Sequence, residues 1–163
     1  MTLFEVLITS GILVFMIAAF IGSYTTVKQL VDTSIAAHNL QRDVNFLMRR
    51  IIVADPLENG FTGLRSARSY TRNSATDLQY TDMNGAVRRY AQNGNTIRFT
   101  SPNLVNTQTI YTAPPNSVLA IAFTPIGTDG ETLRITINIT QAIGRLNARG
   151  NASTIVNLRN IPK

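Results

Sequence analysis

After Glu5 no charged residue occurs until Lys28, and the stretch between them is dominated by Val, Leu, Ile, Phe, Met and Ala. As a helix, Val6–Val27 would run about 33 Å, close to the thickness of a bilayer's hydrocarbon core. From Gln29 to about Val53 the pattern turns amphipathic. Leu40, Val44, Leu47 and Ile51 recur at helical spacing, while Arg42, Asp43, Arg49 and Arg50 fall mostly on other faces. Ala54-Asp55-Pro56 supplies the end, because a residue before proline is pushed out of the α region. The pattern therefore predicts one helix of roughly 50 residues, bare along its first half and with a face for a domain along its second. Gly11 and Gly22 lie in the first half, and glycine costs about 1 kcal/mol in a helix interior. A local bend or loss of helix is expected near Gly22.

Residues 55–75 read as a connecting loop: Pro56, Gly60 and Gly63, then the polar run Arg65 to Ala75 with Arg65, Arg68 and Arg72 close together. Beyond them the pattern is β. Leu78–Thr81 and Ala86–Tyr90 flank an Asn84-Gly85 turn, and a second Asn-Gly turn at Asn93-Gly94 leads into Thr96–Thr100. This predicts a three-stranded meander. Pro102–Pro115 reads as a polar connection anchored by Ile110 and Tyr111, and Ser117–Thr124 as a strand with Leu119, Ile121 and Phe123 on one face. Leu133, Ile135, Ile137 and Ile139 alternate with Arg134, Thr136, Asn138 and Thr140, the clearest half-buried strand in the chain. Gln141–Asn151 reads as a polar excursion and Thr154–Leu158 as the last strand. The fold class expected is α+β, with an antiparallel sheet packed on the amphipathic half of the helix. Its parts are 1–27, the membrane or filament-core half of the helix; 28–54, the amphipathic half; and 55–163, the connecting loop and β head.

An ionised carboxylate at the head of an apolar run is costly to bury alone. For Glu5 the nearest cation is the α-amino group of Met1, and a helix N-terminus favours an acid in its first turn. Within one chain that pairing is mediocre. Between staggered copies of the same helix it would neutralise both ends. Thr2-Leu3-Phe4-Glu5-Val6-Leu7-Ile8 followed by a long apolar helix resembles the mature N-terminus of the type IV pilin superfamily. The resemblance implies that a prepilin peptidase cuts before residue 1 and methylates the new amine. It further implies that the helix waits in the inner membrane until assembly machinery packs copies of the chain into a filament. Met1 and Glu5 are then the assembly residues, and Leu3, Phe4, Val6, Leu7, Ile8, Gly11, Leu13, Phe15, Phe20 and Gly22 belong to the core-forming helix. Two departures from the family pattern are Met at residue 1, where Phe is usual, and Gly at 22, where many pilins carry Pro. A plain signal anchor fits less well, since no Lys or Arg precedes the apolar run. Leu40-Gln41-Arg42-Asp43, Met48-Arg49-Arg50-Ile51, the Asn-Gly hairpins and Val156-Asn157-Leu158-Arg159-Asn160 carry a weaker resemblance to W-type minor pilins and J-type pseudopilins. That branch usually sits at filament tips.

Composition adds constraints. Apolar residues make up 44% of the chain, so the head should fold, and the absence of Cys leaves it without a disulfide staple. The net charge of +6 is carried almost wholly by arginine, since lysine occurs only at 28 and 163. Arginine suits phosphate and carboxylate alike, so DNA, an acidic surface polymer or subunit contacts are all compatible partners, with Arg65, Arg68 and Arg72 as the candidate patch. With no Cys and only His38, a nitrogen- or sulfur-ligated metal site is nearly excluded, and His38 reads as a plain helix residue. Asp129-Gly130-Glu131 offers two acids in a turn, far short of a calcium loop. No nucleophile–base pair or phosphate loop stands out, so neither enzymatic activity nor a cofactor is expected. Asn138-Ile139-Thr140 and Asn151-Ala152-Ser153 are sequons, with Asn138 on the polar face of a strand and Asn151 in a loop.

The expectation is a structural subunit of a type IV pilus-like filament, located in the inner membrane and then in an extracellular pilus or periplasmic pseudopilus. The alternative is a low-copy tip subunit whose arginine-rich head captures a partner.

Overall fold

The computed structural model describes residues 2–53, 63–100, 105–127 and 132–158. It has an α+β layout: one long N-terminal helix, α1 (Leu3–Val53), followed by two antiparallel sheets. This is the layout expected, and it is consistent with a pilin fold. The helix runs unbroken through Gly22, where a bend had been expected from glycine's cost. The hydroxyls of Thr25 and Thr26 both donate to the Gly22 carbonyl at 2.9 Å, holding that turn together. At about 1.5 Å per residue, α1 is about 77 Å long.

A single 3-10 turn, Leu64–Ser66, leads into β1 (Ala67–Ser74), β2 (Asp77–Asp82), β3 (Val87–Asn93), β4 (Thr96–Thr100) and β5 (Thr107–Thr112), which pair in sequence order as one sheet. The meander thus has five strands, where three were expected. β1 occupies residues read as loop, and β5 occupies the polar connection. Both are edge strands exposed along most of their length, so neither carries the apolar alternation that marks a half-buried strand. The second sheet is β6 (Ser117–Ile126), β7 (Thr132–Ile143) and β8 (Leu146–Asn157). Here Gln141–Asn151 is no excursion. β7 and β8 pair along their whole length and meet at a two-residue turn, Gly144-Arg145. Gly144 sits at φ 58°, at the first central position, where a type II′ turn demands glycine.

The core is one continuous cluster. Leu40, Val44, Leu47, Met48 and Ile51 face the sheets from α1, Ile135, Ile137 and Ile139 from β7, and Tyr80, Tyr90 and Phe99 from the first sheet. Tyr90 stands at the centre of an aromatic row, 5.7 Å from Tyr80 and 5.1 Å from Phe99 between ring centroids. Burial of its hydroxyl pushes its pKa well above the ordinary tyrosine value.

Two amide side chains join the sheets. Gln92 donates to the Leu119 carbonyl at 2.7 Å and accepts from the Ile121 N–H at 3.0 Å. Asn95 donates to the Ser117 carbonyl at 2.6 Å and accepts from the Leu119 N–H at 3.1 Å. Each amide stands in for a peptide group, so the β3–β4 turn pairs with the free edge of β6 as a neighbouring strand would. The Phe123 N–H adds a bond to the Ala75 carbonyl of the β1–β2 turn.

The helix meets the second sheet at closest range on β8. A Cβ on Gly150 would stand 2.6 Å from the Leu40 carbonyl carbon and 2.9 Å from the Gln41 nitrogen, so only glycine fits. On the same turn of α1, Gln41 donates to the Asn151 carbonyl at 2.8 Å and accepts from the Asn151 N–H at 3.2 Å. One side chain thereby clamps the outer edge of β8 to the helix.

Candidate functional site

The start of α1 is held by a reciprocal pair. The Thr2 N–H donates to Glu5 Oε2 at 2.8 Å, and the Glu5 N–H reaches Thr2 Oγ1 at 3.4 Å. Thr-x-x-Glu is the capping-box spacing, which satisfies orphan donors at a helix N-terminus and puts a carboxylate against its positive end. In the single chain, Glu5 therefore serves its own helix start. Met1, the expected source of a partner amine, lies outside the described residues.

From Leu3 to Val27 the helix presents its side chains to no part of the described head. Leu3, Phe4, Val6, Leu7, Ile8, Leu13, Phe15 and Phe20 are all exposed, Phe15 at 80% of its accessible surface. A Cβ on Gly11 or Gly22 would meet nothing within 4 Å. Thr9, Ser10, Thr25 and Thr26 all donate their hydroxyls to carbonyls of their own helix. Hydroxyls satisfied by carbonyls of their own helix are suited to an apolar medium. α1 is long and apolar enough to cross a membrane.

Head contact begins at Gln29, whose side-chain nitrogen would lie 3.5 Å from a Cβ on Gly144. The buried stripe of the second half is Leu40, Val44, Leu47, Met48 and Ile51. At 100° per residue, Val31, Ile35, Phe46 and Val53 fall on the opposite side of the helix, and all four are exposed. Exposed His38, Arg42 and Arg49 are interleaved with them. The second half therefore carries two faces with apolar residues, the second of them mixed with basic side chains. One is covered by the head; the other continues the bare surface of the first half.

Arg65 lies on the 3-10 turn, and Arg68 and Arg72 are exposed on β1, so the patch expected on a loop is displayed largely by an edge strand. Asn138 is exposed on β7, as expected. Asn151 is exposed too, but on β8 and not in a loop, because small Ala148, Gly150 and Ala152 form the inward side of that strand. Asn138 and Asn151 are direct register partners, side by side on the outer face. Asp129, Gly130 and Glu131 lie outside the described residues.

Several residues that fix this arrangement had not been singled out as sites: Thr2, Gln41, Gly150, and the buried pair Asp82–Arg88. Arg88 Nε donates to Asp82 Oδ2 at 2.9 Å, and Asp82 Oδ1 accepts from the N–H groups of Asn84 and Ala86, both at 2.9 Å. Burial raises the Asp82 pKa, but these hydrogen bonds and the Arg88 charge outweigh it and hold the carboxyl below its usual value. On β5, burial first and the nearby Asp43 charge second push Tyr111 up to about 12. Only Thr2 had a clear sequence signal, its capping-box spacing to Glu5.

No protein-family model, no curated protein and no solved structure matches this chain.

Proposed function

We propose that this chain is a structural subunit of a type IV pilin-like filament, inserted in the inner membrane before assembly and polymerised through α1. The observation that carries the reading is the bare helix. Its first half has the length of a bilayer crossing, is free of charge after Glu5, and packs against nothing in its own head. A surface of that extent and apolarity requires lipid or a partner, and copies of the same helix are the partner the resemblance implies. The exposed track of Val31, Ile35, Phe46 and Val53 lets that contact extend past the membrane-length segment.

Glu5 sets the register. On assembly its carboxylate exchanges the Thr2 N–H for the terminal amine of a neighbouring copy, so no carboxylate is left uncompensated in the apolar core. Glu5→Ala is expected to insert in the membrane normally and to give no filaments in sheared preparations viewed by electron microscopy. Filaments at wild-type abundance from that variant would refute the register role.

A second reading, a low-copy tip subunit, draws support from exposed Arg68 and Arg72 on β1. It predicts binding of DNA or an acidic polymer that weakens steeply with salt and with removal of those arginines. Mass spectrometry of purified filaments separates the two: the bulk component is the structural subunit, a trace component the tip.

A further inference from the structure

The β7–β8 turn lies at the end of the apolar half of α1. Gly144 is in contact range of the Gln29 side chain, and Gln29 is only two residues beyond Val27. Along the helix that is about 3 Å past the end of the apolar run, whereas the headgroup layer of a bilayer extends roughly 5–8 Å beyond the hydrocarbon edge. If Val6–Val27 fills the hydrocarbon, the turn is in that layer.

Its chemistry fits the place. Gln141–Arg149, the end of β7, the turn and the start of β8, contains no acid and two arginines, Arg145 on the turn and Arg149 on the outer face of β8; both are exposed. Lys28, also exposed, lies beside Gln29 on the helix. Arg149 is about 13 Å along the strand from the turn, so its long side chain comes within about a Debye length of the same layer. The opposing charge at this level is Asp32, one helical turn farther on. β8 then follows α1 outward, since Gly150 meets Leu40 and Asn151 meets Gln41. The membrane-proximal end of the head is thus basic.

We infer that, before assembly, the head docks on the membrane surface through this hairpin, with Arg145 and Lys28 holding the phosphates of anionic lipid headgroups and Arg149 adding its charge at longer range. Docking rests on α1 crossing the bilayer. It orients the head, fixing which face of α1 a waiting subunit presents to its neighbours. It must also be released when the helix leaves the membrane.

The chain has no native cysteine, so single labels are unambiguous. Full-length chain would be reconstituted in vesicles of phosphatidylcholine alone or with about a third phosphatidylglycerol, with fluorophores at Asn147→Cys, Asn157→Cys or Leu13→Cys and quenchers on headgroups or acyl chains. Asn157 is about 33 Å farther along β8 than Asn147. Headgroup quenching at 147 is expected to exceed that at 157 in all vesicles, to be about two- to threefold stronger in anionic than in neutral vesicles, and to lose that gain in high salt or with Arg145→Glu plus Arg149→Glu. Quenching at 147 that ignores lipid charge and salt, while Leu13 is quenched from the acyl chains, would overturn docking and leave the membrane reading intact. A Leu13 label that reads water would overturn both.

Discussion

The two halves of α1 share one backbone and one helical period, yet they are stabilised in different ways. Leu3–Val27 carries one charge, Glu5, is otherwise dominated by apolar residues on all sides, and touches no other described element. Gln29–Val53 confines its buried residues to one stripe, and a glycine on β8 lets the helix backbone come within contact of the strand. An all-round apolar helix needs a surrounding medium, lipid or other helices; a buried stripe needs one partner, and for Leu40, Val44, Leu47, Met48 and Ile51 the chain itself supplies it. A change in the first half should therefore act on insertion or on the proposed assembly, and a change in the buried stripe of the second on head stability.

The largest effect on the head is expected from Asp82→Asn, which leaves the Arg88 charge buried without its carboxylate. Loss of one member of a buried pair costs about 3–5 kcal/mol, read as a lower unfolding midpoint in a detergent-solubilised chain, while membrane insertion of the first half stays intact. The same pair gives a pH signature. Because the folded pKa of Asp82 is lowered, its stabilisation is full above the unfolded value of about 4 and is lost as pH falls through the folded value. Wild type should lose stability below about pH 4, and Asp82→Asn should lose that component of the slope.

Leu47→Ala against Leu13→Ala tests the contrast between halves directly. Leu47 is buried, and its truncation should cost about 2–5 kcal/mol of head stability. Leu13 is exposed and should cost the head nothing measurable, with any defect appearing in filament yield. Equal head destabilisation by both would break the distinction. A smaller effect, about 1–3 kcal/mol, is expected from Gly150→Ala, since its Cβ would collide with the Leu40 backbone and force helix and strand apart.

The long helix was legible because two strong signals bracket it, a charge-free run at one end and Pro56 shortly after the other. β7 was legible for a similar reason: four apolar residues alternate with polar ones, and one face is buried. β1 and β5 escaped because edge strands exposed on both faces have nothing to alternate against. The end of β8 was read as the last strand, but its first part escaped because its inward residues, Ala148, Gly150 and Ala152, are too small to register as a hydrophobic face, although their smallness is what admits the helix. Glu5 stood out as the lone acid in an apolar run. Its hydrogen bond to Thr2 was readable from spacing alone, whereas the Gln41 clamp joins residues 110 apart in the chain and had no local signature.

The amide side chains that complete the β6 edge have a consequence for a crowded assembly. Unpaired strand edges are templates for pairing with another chain, and packed subunits would hold many such edges at very high local concentration. Gln92 and Asn95 occupy the β6 edge, Gln41 occupies part of the β8 edge, and Arg50 donates to the Ile110 carbonyl on β5. Among the described residues β1 keeps an open edge, but it carries Arg68 and Arg72 and its pairing with β2 is broken by two register shifts, the features that deter edge-to-edge sheet growth. In the proposed filament, heads packed shoulder to shoulder would then be kept from fusing into amyloid-like ribbons, leaving the geometry to the helices.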